Sequence, residues 1–298
     1  MRRPSRFRAW VPPRFALLGS VVLVSLLLAF PRASWADDSL QNIRDNVRDP
    51  PPAGSSGPSV NLSDANNNTN VNSGSGNLED ISALDLLVGI PVAFAAPIIG
   101  PMTLLDDDLF RPGYFPRAPY EDSPGYVTRD DGPEFRPWSM RVDAEYANDF
   151  GGIQSVGGHF LLDTTYRFGF EASGSELVER FAGARYDNLA LGDANLVFRF
   201  AQCPWGEFRT GLGANWLADR QATNYGFNFT YAADFFPGNP WVISSVIDAG
   251  TLGYAGLFRF RLTGGAVFHG VEAYAGYEFL DIGRTPTNSL VTGLRFWF

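Results

Sequence analysis

From Trp138 to the C-terminus, apolar and polar residues alternate along the chain with a period of two. Tyr225, Phe227, Phe229, Tyr231 and Ala233 are separated by Gly226, Asn228, Thr230 and Ala232, all small or polar. Trp138, Met140, Val142, Ala144 and Tyr146 interleave with Arg141, Asp143 and Glu145. Phe208, Leu212, Ala214 and Trp216 oppose Glu207, Arg209 and Asn215, and Phe258, Phe260 and Leu262 oppose Arg259 and Arg261. Val271, Ala273, Ala275, Tyr277 and Phe279 oppose Glu272 and Glu278, and Leu290, Leu294, Phe296 and Phe298 oppose Arg295. Successive strand residues point to opposite faces, so this pattern predicts strands with two unlike faces. No helical period of comparable strength competes with it. Residues 138–298 are predicted to be all-β.

Two architectures suit such strands: a soluble barrel with a greasy inside, or a membrane barrel with a greasy outside. Side-chain size separates them. The interior of a small barrel is just filled by ordinary side chains, whereas the apolar face here carries Phe, Tyr and Trp in nearly every strand. That many rings suit a surface facing lipid, with Trp138, Trp216, Trp241 and Phe298 placed for interfacial girdles. The opposite face carries Arg141, Arg167, Arg199, Arg209, Arg259, Arg261 and Arg295 beside Asp143, Glu145, Glu171, Glu207, Asp248, Glu272 and Glu278. Equal numbers of each sign predict a paired network filling a closed lumen. Every basic residue in the chain is arginine and lysine is absent. The planar guanidinium suits fixed, buried pairs with carboxylates better than an ammonium does.

The last residues, Leu290 to Phe298, alternate back from a terminal aromatic through Phe296 and Leu294. This resembles the C-terminal β-signal of bacterial outer-membrane β-barrel proteins. The resemblance covers nine residues and implies insertion into the outer membrane, in contact with its lipid, by the barrel assembly machinery. Short turns are predicted near Cys203–Gly206, Phe236–Asn239 and His269–Gly270, and longer connections near Gly174–Ala190, Ala218–Thr223 and Asp281–Asn288. Splitting Ile153–Ser173 near Asp163-Thr164 gives ten strands with both barrel ends of the chain on the periplasmic side. An antiparallel up-and-down transmembrane β-barrel of ten strands is therefore expected, with eight as the alternative.

Composition changes sharply before the barrel. Five arginines by residue 14, the apolar run Phe15–Phe30 and the exit Ser34-Trp35-Ala36 have the three parts of a secretory signal peptide, assigned to residues 1–36. Residues 37–77, rich in Pro, Gly, Ser and Asn, read as a disordered tether. Residues 78–137 read as an irregular linker, in which Leu84–Leu105 is apolar for a spanning length but interrupted by Pro91, Pro97 and Pro101. That segment is expected to dock on the barrel end or the membrane surface.

Charge and chemistry narrow the function further. Removing the six arginines of the leader from the 23 basic residues leaves 17 against 32 acidic ones, a net charge of −15 that disfavours nucleic acid as a partner. Cys203 is the only cysteine, which rules out an internal disulfide or a cysteine metal cluster. No cofactor is implied. The histidines, His159 and His269, are read as structural, although His159 with Ser155 is the one pairing conceivable for a lipid deacylase. A structural or surface-interaction barrel with a largely filled lumen is the leading expectation. A narrow passage or small-molecule site, a membrane-embedded hydrolase or acyltransferase, and a soluble periplasmic lipocalin-like binder are the alternatives.

Overall fold

A computed structural model of the chain describes residues 38–50, 97–107, 111–129, 131–181 and 186–298. The leader at 1–36 and most of the tether lie outside the described residues.

Ten strands follow one another along the chain: β1 Trp138–Asn148, β2 Ile153–Thr164, β3 Phe168–Arg180, β4 Tyr186–Cys203, β5 Gly206–Ala218, β6 Thr223–Gly238, β7 Trp241–Leu252, β8 Ala255–Phe268, β9 Val271–Ile282 and β10 Thr285–Trp297. Each pairs antiparallel with its sequence neighbours, and β1 pairs with β10 to close the barrel. Closure leaves no strand as a free sheet edge. The predicted break near Asp163-Thr164 is real, because β2 ends at Thr164 and β3 begins at Phe168. The count is ten, and the eight-stranded alternative is set aside.

The alternation sets the two faces as expected. In β1, Trp138, Val142 and Tyr146 are exposed while Ser139, Arg141 and Asp143 are buried. Outward aromatics gather in two rings. Trp138, Tyr166, Phe168, Trp205, Trp241 and Phe268 surround the end that holds the start of β1 and the end of β10, here the proximal end. Tyr146, Phe150, Tyr186, Tyr225 and Tyr254 surround the opposite, distal end.

Three expectations need correction. The distal connections at Gly174–Ala190 and Asp281–Asn288 are not long: β3 continues to Arg180, β4 starts at Tyr186, and β9 and β10 are joined by Gly283-Arg284 alone. Both of those turn residues have positive φ, 62° and 71°, as a two-residue primed turn requires. The tether reading also fails for its first part. Ser39–Arg48 forms a helix, α1, in which Leu40, Ile43 and Val47 are buried at helical spacing. Ten residues cannot sustain a helix in water by propensity alone, so tertiary burial holds it. Finally, the prolines do not prevent a helix at the end of the apolar segment. Residues 97–104 are helical (α2), with the Leu105 N–H donating to the Pro101 carbonyl at 2.9 Å.

α2 packs on the outside of the barrel. Leu105 and Met102 lie against Phe200, Phe208, Tyr231 and Phe235 of β4, β5 and β6. The stretch that follows, 111–136, was expected to be an irregular linker and is irregular in form, yet it closes the proximal end. Phe115 and Tyr126 are buried there with Phe236 and Trp297, and the Tyr126 ring centroid is 4.7 Å from Trp297 and 5.4 Å from Phe236.

Candidate functional site in the barrel lumen

The inward residues form layers from the proximal to the distal end. Nearest the proximal cap, Arg141 and Arg209 share the carboxylate of Asp234, at 2.9 and 2.5 Å. Glu207 lies beside them, 3.4 Å from Arg209 and 3.7 Å from Arg141. Arg199, fully buried, reaches Asp163 at 3.3 Å, donates to the Thr164 carbonyl and lies 4.7 Å over the Phe115 ring of the cap.

In the next layer Arg295 bridges Asp143 at 3.0 Å and Glu272 at 3.2 Å. Trp297 donates its indole N–H to Glu272. His159 contacts Glu171 at 2.7 Å and Asp143 at 3.6 Å. Above these, Arg261 forks onto Glu145 and also pairs with Glu278, while Arg259 sits 3.4 to 3.8 Å from Asp193, Asp248 and Glu278. The amides of Asn195 and Asn228 bond to each other at 3.0 Å, and an apolar layer follows. It consists of Leu177, Leu189, Leu191, Leu217, Leu252, Leu257, Leu280 and Ile282, closed over by α1.

Thirteen of the fourteen charged residues expected inside the lumen meet in this network. Arg167 is the exception. It occupies the β2–β3 turn with φ 69° and pairs with Asp107 at 2.8 Å, tying the end of α2 to the proximal rim. Asp163, Asp193 and Asp234 are network members that the sequence reading passed over. Asp234 was legible by parity, since it follows the outward Ala233. Asp193 lies three residues past the connection predicted at Gly174–Ala190, in a strand that in fact begins at Tyr186.

Distal closure uses both greasy and charged contacts. The carboxylate of Glu179 accepts from the first two N–H groups of α1, Ser39 at 3.0 Å and Leu40 at 2.9 Å, where the helix end favours an anion. Arg44 pairs with Asp187 and, at 2.8 Å, with Asp219; Arg48 also reaches Asp219 at 2.8 Å. The Arg48 hydrogen bond, opposed by partial burial and aided by two turn N–H groups, holds the Asp219 carboxyl below the usual carboxylate range. Two glycine turns let the helix approach. A Cβ on Gly253 would lie 2.2 Å from the Val47 carbonyl, and one on Gly283 2.6 Å from the Asn46 Cβ.

The remaining space inside is small. A void of about 50 Å³ is lined by Arg141, His159, Glu171, Asp193, Asp234 and Arg259 among others. It has room for a few waters, at ~10–15 Å³ each. Several buried atoms of the lining residues lack a hydrogen-bond partner, including Arg141 Nη2, Glu171 Oε2 and Asp234 Oδ1, which gives such waters hydrogen-bonding sites.

The groups considered for catalysis are spaced apart or already partnered. Ser155 and His159 share a face but are four strand residues apart, about 13 Å at ~3.3 Å per residue, beyond hydrogen-bond reach. Ser173 stands across from His159 in the β2–β3 register, yet donates to Asp193, while both His159 nitrogens face carboxylates. His269 lies in a proximal turn. Among the described residues no group of three or more His, Cys, Asp and Glu is arranged to hold a metal ion.

These features define a closed β-barrel with an apolar aromatic wall and a charged, plugged lumen. No protein family matches the sequence, and no curated protein does. Among solved structures, it is similar to a KdgM porin (10% identity, 53% of this chain and 99% of that one, TM-score 0.25). It is similar also to the CymD monoaromatic hydrocarbon channel (12%, 52% and 55%, 0.26) and to Ail, the attachment invasion locus protein of Yersinia pestis (12%, 54% and 96%, 0.25). Scores this low add nothing to the architecture described above.

Proposed function

We propose that the chain is a bacterial outer-membrane barrel that acts as a closed structural or surface-interaction element and not as an open pore. The observation that carries this reading is the inversion of ordinary polarity. Leu196, Leu212, Phe227 and Phe258 are 42 to 64% exposed on the wall, while Arg141, Arg199, Glu207 and Asp234 are at most 2% exposed inside. In water that arrangement exposes apolar area and desolvates charge at once. In lipid, the wall is solvated and the lumen supplies the charge pairing. The terminal Leu294, Phe296 and Phe298 face outward from β10, as recognition by the assembly machinery from outside the strand requires.

The test is refolding into lipid vesicles followed by planar-bilayer recording. The expected result is a heat-modifiable band on gels and no steady conductance. A persistent conductance in the full-length protein would sink the closed-barrel reading. The separate α1 plug favours one second reading, a narrow passage that opens when the helix leaves. Removing residues 37–50 should leave the bilayer silent, because the charge network and the 111–136 cap remain. Conductance in that variant would favour the passage.

A further inference from the structure

The outer wall is thin on one side of its distal half. Elsewhere on the wall the outward positions carry large side chains such as Phe227, Phe229, Phe258 and Leu290. Across β1 to β4, by contrast, the register sets Ala144, Gly158, Gly174 and Gly192 side by side. The row ends at Trp216 of β5, whose ring lies so close over Gly192 that a Cβ there would be 2.2 Å from it. With no side chains in the way, the backbone of Gly157, Gly158 and Gly174 forms the floor of an outer groove of about 510 Å³, lined also by Val156 and Trp216. Sites for small molecules commonly have ~300–1,000 Å³.

Charges of both signs border this groove. Glu176 is exposed on the outer face of β3 and lines it. In the register Glu176 pairs with Val156, and Val156 with Tyr146 of the distal aromatic ring, so the carboxylate stands two strands from that ring. Asn188 donates to one of its oxygens at 3.0 Å. Arg220, in the turn between β5 and β6, lines the groove as well. Its side chain is exposed and makes no hydrogen bond or ion pair among the described residues.

We infer that the groove holds one zwitterionic phospholipid with a primary ammonium, its phosphate at Arg220, its ammonium at Glu176 and an acyl chain along the glycine floor. This rests on the outer-membrane reading above, which puts the groove in lipid and the distal aromatic ring at headgroup level. An acyl chain on the rest of the wall meets the tips of large side chains. Here it reaches the backbone, as small residues let helices approach closely in a membrane. The charges select the headgroup. A free arginine alone would suit any phosphate, but an anionic lipid would also bring like charge to Glu176. A carboxylate on a lipid-facing wall calls for a partner, and an ammonium has three N–H groups to donate to it.

Native mass spectrometry of the full-length protein in detergent, titrated with phosphatidylethanolamine or with phosphatidylglycerol, tests this. The expected result is one retained phosphatidylethanolamine, with phosphatidylglycerol bound about tenfold more weakly, the worth of one hydrogen bond to a charged group. Arg220→Gln should weaken phosphatidylethanolamine by a similar factor, and Glu176→Gln should erase its advantage over phosphatidylglycerol. Gly174→Phe should exclude the lipid while the barrel stays heat-modifiable on gels, because a side chain there starts in open space. Equal retention of the two lipids, or retention untouched by Gly174→Phe, would show bulk lipid only and overturn the inference. So would a lipid-free dimer that Gly174→Phe disrupts, since the occupant would then be a second copy.

The place of the acyl chain has its own readout. Trp216 fluorescence, taken as the difference between native and Trp216→Phe protein in vesicles, should be quenched more by phosphatidylethanolamine with brominated chains than by equally brominated phosphatidylglycerol. Equal quenching by the two would overturn the inference and leave the barrel reading standing. A native protein that stays folded and monodisperse without detergent or lipid would sink the outer-membrane reading, and this inference with it.

Discussion

Asp234 illustrates what a charge inside this barrel does. The residue is 1% exposed and its carboxylate bridges Arg141 and Arg209, two cations that would otherwise repel each other in a desolvated space. A buried pair adds little relative to a well-packed apolar substitute, but removing one partner strands the other. Asp234→Asn is expected to cost ~3–5 kcal/mol of folding free energy in vesicles, read from urea titration of the refolded protein. The wall obeys the opposite rule. On the outer-membrane reading proposed above, Phe229→Arg puts a charge into lipid and should cost ~2–4 kcal/mol near the midplane. Its neighbour Asn228 points inward as alternation predicts, but it is fully buried and bonded to Asn195. An arginine there would be overpacked and would lose the bond to Asn195, so it too should be costly.

At the scale of elements, α1 is a short helix whose existence depends on the mouth it fills. Burial of Leu40, Ile43 and Val47 supplies about 1.5–3 kcal/mol for each side chain, and the Arg44, Arg48 and Glu179 contacts fix its orientation. Gly253→Ala should release it, because φ at Gly253 is +57° and the added methyl would strike the Val47 carbonyl. The check is limited proteolysis of the refolded protein: α1 becomes cleavable while the barrel core stays resistant. Docking should also respond to pH in one direction. Asp219 is held below its unfolded value near ~4, so its contribution is complete above that value and is lost as pH falls through the lowered one. A spin label at Gln41 should stay immobile from neutral pH down to about pH 4 and gain mobility only in stronger acid. Mobilisation between pH 5 and 7 would contradict the Arg48–Asp219 latch.

The whole molecule is a barrel closed by its own N-terminal residues, and its assembly is predicted to depend on its last one. Phe298 is exposed at the proximal rim, and its backbone pairs with Met140 of β1 in both directions, at 2.9 and 3.1 Å, where the barrel closes. Deleting Phe298 should lower the amount of heat-modifiable protein in outer-membrane fractions. Normal levels of such a variant would show that the terminal aromatic is not read during assembly. Strand number, the two faces and most of the charge network were legible in the sequence, because a period of two is written locally and parity carries it along each strand. It was equally legible that the rings face out, since their volume exceeds what a small lumen holds. The ends were not legible. α1 lies in a stretch whose average composition is that of a disordered chain, and four buried residues in ten become a helix only when the leucines of five or more strands converge to receive them. Arg167 matched the lumenal pattern until a turn with positive φ redirected it to Asp107. Alternation along the chain determined what each strand residue faces. Which distant segment fills each mouth was decided only by tertiary structure, because those contacts join residues far apart in the chain, 52 positions for Gly113 and Thr165 and 140 for Ser39 and Glu179, and leave no periodic trace in either partner.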